Sequence, residues 1–367
     1  MSTLETNSIG KYNGNNVSVD DALRLKSYST TDRDALTSVA GDTIYNSTTN
    51  KPQYYDGSAW NDMSGPAVVK VDYVVIGGGG SGGSSSGSGA SGGGGAGGYL
   101  SHYASENSGG GDTNSADFYV PVSTNLTVTI GAGAPAQDSG RYPGFRGTGS
   151  HFANISPAGG GGGGTWGGLI GNKNYYLYNA QEGASGGGQG SICYDTSAKA
   201  SGKLYQGYAG GAGTSNTFDG GGSGNYSTRA GGGGGGASAV GADAASGNGG
   251  NGGAGVSSSI TGSAVERAGG GGGGANTLGT ATGGGGNGNN NGNGVAGTAN
   301  TGGGGGGSHY NGGDRAGGAG GSGVVILRYP NTFTLSQSGL TTENINTAVG
   351  DDKYTTITGG TGTVSFA

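Results

Sequence analysis

Four unbroken runs of six glycines, at 159–164, 231–236, 269–274 and 302–307, constrain this chain more than any other feature. Glycine costs about 1 kcal/mol against alanine inside a helix and weakens a strand, so neither regular element suits such a run. The extended helix of the polyproline-II type is open to it, with three residues per turn and a rise of about 3.1 Å each. With no Cβ on any side, such segments can approach closely and exchange N–H···O=C bonds with several neighbours, and Cα–H···O contacts add to these. Ordering the backbone opposes this by roughly 1–2 kcal/mol per residue, and glycine loses the most freedom. Cooperative bonding among many segments has to offset that cost.

The runs recur on a unit of about 36 residues with one copy degraded. Each is followed by an insertion and a looser glycine-rich return, such as GNGGNGGAG (247–255) or GGAGGSG (317–323), which suggests an array of out-and-back segments. Glycine accounts for 98 of 367 residues, while apolar residues make up 30% and charged residues 10%, so one conventional core cannot span the chain. The low charge also argues against a solvated polyelectrolyte. Collagen is excluded by the missing Gly-X-Y period and only 7 prolines. A flexible linker fits the composition alone. Against it stand the repeated hexaglycines, the aromatic clusters between them and the apolar runs at both ends.

The chain divides into three parts. Residues 1–65 have ordinary composition and are expected to form a β-hairpin-type region. Val17–Leu25 reads as a short helix or strand, and Thr31 with Asp34 as a weak capping box opening one helical turn. GDTIYN (41–46) and PQYYDGSAWNDM (52–63) read as two strands around a polar turn, with Tyr45, Tyr54, Tyr55 and Trp60 on the apolar face. Residues 66–329 form the glycine-rich part. PAVVKVDYVVI (66–76) enters it and GVVILRY (323–329) leaves it; both are β-branched, of strand length, and expected to pair. FYVPVSTNLTVTIGAG (118–133) is a further strand candidate. In residues 330–367, TFTLSQ, KYTTIT and GTVSFA alternate as short strands do and predict a small β-rich cap or appendage. The expected fold is thus mostly non-regular and β: packed polyglycine-II helices bracketed by strands.

The motifs that carry chemistry fail one by one. VDYVVIGGGGSGG (71–83) has the strand and glycines of a dinucleotide fingerprint, but SGGSSSGSGASGGGGAGG after Gly77–Gly80 cannot supply the helix whose N-terminus binds pyrophosphate. The nearest acidic residue, Glu106, has no strand before it, and no glycine run leads into Gly-Lys-Ser/Thr. The three histidines, His102, His151 and His309, lie far apart, and Cys193 shows neither a base nor an electropositive setting. No carboxylate pair is favoured. The reading is therefore non-enzymatic and without a cofactor or metal. At a net charge of −6 with no basic run, nucleic acid is not an expected partner. No apolar run is long enough to insert in a membrane, and no export signal is recognised, so synthesis in a cytoplasm is expected.

The aromatics are more informative. They gather between the glycine runs in YLSHY (99–103), RYPGF (141–145), TWGGLIGNKNYYLY (165–178), ICYDTSAKASGKLYQGY (192–208) and SHY (308–310). Tyrosine mixed with Ser, Gly and Asn suits recognition of sugars or protein surfaces, since each ring offers rigid area with a polar handle. The candidate binding residues are Tyr99, Tyr103, Trp166, Tyr175, Tyr176, Tyr178, Tyr194, Tyr205, Tyr208 and Tyr310. The alternative is that these rings pack on the glycine segments, which have little other apolar material to cover them.

VDYVVIGGGGSGG, TNLTVTIGAGAP (124–135), GTGSHF (147–152) and GGSGVVILRY (320–329) occur in the order found in the glycine-rich domain of bacteriophage tail-fibre and adhesin proteins, which this stretch resembles. DRDALTSVAGDTIYNSTTNKPQYYDGSAW (32–60) is similar to a short module of phage fibre and other virion proteins. The resemblance implies a virion-borne tail fibre or fibre-tip adhesin, with a sandwich of polyglycine-II helices whose distal loops meet a host surface protein or glycan. Residues 1–65 would then attach to other tail or fibre proteins. A purely structural component, such as a shaft, head fibre or adaptor, is the alternative. Trimeric and monomeric forms both occur in such proteins, and the β-rich segment after Tyr329 departs from the pattern.

Overall fold

The apolar runs at the two ends of the glycine-rich stretch lie side by side in the computed structural model of the chain. Strand β6 (Asp72–Ile76) pairs antiparallel with β13 (Val324–Pro330), setting Ile76 opposite Val324 and Asp72 opposite Arg328. The structure describes residues 24–63, 67–86, 89–112, 117–166, 179–191, 199–214, 228–309 and 313–367. Strands predominate, with almost no helix, and the chain divides into two compact units, residues 1–67 and 68–367.

In the first unit, β1 (Ser27–Tyr28) runs parallel to β2 (Thr43–Asn46), followed by antiparallel β3 (Lys51–Tyr55) and β4 (Trp60–Asp62). A single helical turn, α1 (Thr30–Asp34), begins earlier than expected because Ser29, not Thr31, caps it. Ser29 Oγ accepts from the Asp32 N–H at 3.1 Å and donates to Asp32 Oδ2 at 2.7 Å. The second predicted strand proves to be two. Asp56 Oδ1 accepts from the Ser58 and Ala59 N–H groups at 2.7 and 2.8 Å, which turns the chain back and sets Trp60 opposite Tyr55. Of the Val17–Leu25 stretch, only Arg24 and Leu25 are among the described residues.

The second unit is built on a seven-stranded sheet. Its order is β10 (His151–Phe152), β9 (Leu126–Thr129), β15 (Asp352–Phe366), β13, β6 and β7 (Tyr99–His102), with β14 (Leu335–Val349) also paired to β15. A two-stranded ribbon, β5 (Val68–Lys70) with β8 (Tyr119–Pro121), and a hairpin, β11 (Val256–Ser258) with β12 (Val265–Arg267), accompany it. The predicted strand over 118–133 breaks into β8 and β9, with Ser123 at φ 62° between them. Residues 330–367, expected as a cap or appendage, instead enter the sheet: β15 lies between β13 and β9. Val325, Leu327 and Tyr329 face one cluster with Val75, Phe152, Ile357 and Phe366. Val324 and Ile326 face the other with Val74, Ile76, Tyr99 and Ile260. Burial on both faces explains why GVVILRY reads as a continuous apolar run without alternation.

Beyond the sheet, backbone bonding rotates among neighbours with a period of three. Gly77, Gly80 and Gly83 donate to Gly98, Gly95 and Gly92, at 2.9–3.0 Å. Gly78, Ser81 and Ser84 donate to Thr148, Phe145 and Tyr142, and Gly79, Gly82 and Ser85 to Gly321, Gly318 and Arg315. Each set descends in number, so all three neighbours run antiparallel to 77–85. The hexaglycine 269–274 donates to segments 283–286, 250–253 and 91–94, and accepts from 304–307, 231–234 and Gly279. Six neighbours thus surround one chain. An added Cβ at Gly271 would overlap the Gly305 carbonyl oxygen, so the spacing itself requires glycine here.

Candidate functional site

These segments give the second unit two ends. Residues 77–85 lead away from β6, and their partners 92–98 and 315–321 lead back towards β7 and β13. Ser85, bridged to Arg315, therefore marks the end far from the sheet.

The sequence candidates separate between these ends. Tyr99 lies on β7 at the sheet, wholly buried against Ile76 and Ile326, and is not presented to a partner. Burial raises its phenol well above the ordinary tyrosine range. Tyr103 is held by Arg328, whose Nη1 donates to its hydroxyl at 2.8 Å and whose guanidinium lies 5.0 Å from the ring centroid. Tyr205 and Tyr208 are also near the sheet, flanking Gln206, whose carbonyl accepts from the Tyr99 N–H at 3.2 Å. Tyr205 is 51% exposed and sits at φ 63°, whereas Tyr208 is half-buried.

Trp166 is at the far end. Its ring lies 4.0 Å from the Arg141 guanidinium and 5.1 Å from that of Arg229, and only glycine fits at 89 beside it, since a Cβ there would come within 2.6 Å of the Trp166 Cβ. Ser191 donates its N–H to Ala90 O at 2.9 Å and accepts the Ala90 N–H on Oγ at 3.1 Å. His309 forms bridges with Ala90 and Gly292. Thr165 Oγ1 bonds the Ser84 carbonyl, and Thr214 N–H donates to Ala230 O at 2.9 Å. Tyr175, Tyr176, Tyr178, Tyr194 and Tyr310 lie outside the described residues, but the residues that precede their segments, Trp166, Ser191 and His309, gather around Gly89 and Ala90.

The electrostatics of this end are set by burial. His309 is 2% exposed and neither ring nitrogen makes a hydrogen bond. Burial first, and Arg229 second, holds its imidazole below the usual range, so it is neutral at pH 7. Trp166 Nε1 also makes no hydrogen bond. Arg141 and Arg229 were missed by the sequence reading, because nothing local marks an arginine as the neighbour of a distant tryptophan. Tyr142 and Phe145 of the RYPGF cluster are 56% and 47% exposed, and their carbonyls accept from the Ser84 and Ser81 N–H groups. Among the described residues, no group of three His, Cys, Asp or Glu could hold a metal, and no helix is long and apolar enough to cross a membrane.

A family model described as a glycine-rich domain matches residues 56–330, three-quarters of the chain. The protein belongs to this glycine-rich domain family. The match spans both apolar runs that pair as β6 and β13, and it covers every glycine segment between them. No curated protein matches the sequence. What distinguishes the ends of this glycine-rich domain is chemical: a sheet-bound end where Tyr99 and Tyr103 are packed, and a far end where the loop-flanking residues Trp166, Ser191 and His309 converge on Gly89 and Ala90.

Proposed function

We propose that this protein is a bacteriophage virion component, a tail fibre or fibre-tip adhesin that recognises a host surface protein or glycan and carries out no catalysis. In this reading the glycine segments are polyglycine-II helices packed as a lattice, residues 1–65 attach to other tail or fibre proteins, and the far end presents the Tyr/Trp-rich loops. One observation carries it: residues that flank three of the aromatic insertions converge on Gly89 and Ala90, opposite the sheet. A rigid scaffold with variable segments anchored at one end is the arrangement that recognition loops require. The threefold rotation of hydrogen-bond partners and the six neighbours of 269–274 support the polyglycine-II part.

The test is exchange of residues 167–178 and 192–198 for those of a relative with another host, followed by cell binding. Transfer of binding with the loops is expected. Unchanged binding would favour the second reading, a structural shaft, head fibre or adaptor, which the inward packing of Tyr99 and Tyr103 favours for that end. Trimeric assembly is tested in the same preparation by light scattering.

A further inference from the structure

The first unit contains a cleft of about 440 Å³, within the ~300–1,000 Å³ range of small-molecule sites. Its wall is a cross-strand pair, Tyr55 and Trp60, with ring centroids 5.5 Å apart and planes inclined at 52°. Lining the same cleft is an ion pair from α1. Arg33 Nε and Nη2 both donate to Asp34 Oδ1, at 2.9 and 2.6 Å, and Arg33 Nη1 donates to Gln53 Oε1 at 2.8 Å. The pair leaves the cleft without net charge, and Asp34, with a 58% exposed side chain, keeps Oδ2 as an acceptor. Ser38 lines the same cleft, and its buried Oγ makes no hydrogen bond.

We infer that this cleft binds a neutral saccharide, with a pyranose C–H face against Trp60 and Tyr55 and a neighbouring hydroxyl donating to Asp34 Oδ2. The pairing of charges argues against an ionic ligand. The open carboxylate oxygen of Asp34 argues against a purely apolar one, because it would lose its hydrogen-bonding partners under such a ligand. A sugar, which offers an apolar ring face and both donors and acceptors at its edge, meets both requirements. This site is independent of the loops at the far end of the second unit.

The test uses the full chain labelled with 5-fluorotryptophan. With only 2 tryptophans, Trp60 and Trp166, fluorine NMR reports each site separately, and Trp60→Phe assigns the signals. Glucose, galactose, mannose, rhamnose, N-acetylglucosamine and their short oligomers are titrated in turn. Saturable movement of the Trp60 resonance with one of them, half-complete at or below ~10 mM, is expected. Asp34→Ala should weaken that binding about tenfold, with an unchanged melting temperature. Movement of Trp166 alone would place sugar binding at the far end and overturn the inference. Silence of both resonances across the panel would overturn it too.

Discussion

Replacing Gly271 by alanine tests whether close approach, rather than chain flexibility, accounts for the glycine. The new Cβ would overlap the carbonyl oxygen of Gly305, an atom that already accepts from the Gly94 N–H at 2.7 Å. Restoring an ordinary C···O contact of ~3.3 Å needs a displacement of about 1 Å. That displacement disturbs the Gly94 bond and two others, from Gly271 N–H to Gly94 O at 2.9 Å and from Gly234 N–H to Gly271 O at 2.8 Å. At about 1 kcal/mol per bond and roughly 1–3 kcal/mol for overpacking, the loss is about 4–6 kcal/mol. The stiffer unfolded chain returns about 0.4–1 kcal/mol, leaving roughly 3–5.6 kcal/mol of destabilisation. Gly359→Ala is the control, because its nearest neighbour is the Thr341 side chain at 3.5 Å. Denaturant unfolding followed by circular dichroism compares the two variants with the parent. If Gly271→Ala unfolds at the same midpoint as Gly359→Ala and the parent, the close-packed account of these segments is wrong.

Four further outcomes are expected. Truncation after Pro330 removes β15 and uncovers Val325, Leu327 and Tyr329, so the shortened chain should be recovered only as aggregate; a soluble, cooperatively melting product would show β15 to be dispensable. Trp166→Ala removes a buried ring in contact with Arg141 and Arg229 and should cost about 3–5 kcal/mol in the same unfolding assay. Desolvation pushes the Tyr329 phenol up to about 12, so its contribution is full below the unfolded value of ~10 and is lost as pH rises from there to about 12; Tyr329→Phe should flatten that part of the stability–pH curve. Hydrogen bonds from Ala59 and Ser58 hold Asp56 below the usual carboxylate range, so its support for the β3–β4 turn is present above pH ~4 and fades in acid; Asp56→Ala should abolish that acid dependence, read from the Trp60 resonance.

Much of the architecture was legible where one chemical property decides it. β-branched runs with no polar residue, such as Val324–Leu327, announce strands buried on both faces, and their pairing with 72–76 was foreseeable from their matched composition. Turns were less legible. The tyrosines before Asp56 suggest a strand running through it, but the bonds its side chain accepts from the Ser58 and Ala59 N–H groups outweigh that preference and turn the chain. The far end was legible only in part: Trp166 was visible as an aromatic in an insertion, while Arg141 and Arg229 were ordinary arginines until folding placed both against its ring.

By itself, the sequence determined that residues 159–164, 231–236, 269–274 and 302–307 could be neither good helix nor good strand, and that strands had to bracket them. It could not say which segment neighbours which, because glycines are identical donors and acceptors and carry no side chain to specify a partner. Only the tertiary structure decided that 269–274 lies among six segments, that β15 fills the place between β13 and β9, and that Tyr99 and Trp166 stand at opposite ends. The physical reason is that register in such an array is set from outside, by the strands that anchor one end and by the small side chains, such as those at Ser81, Ser84 and Ser191, that interrupt the glycine near the other.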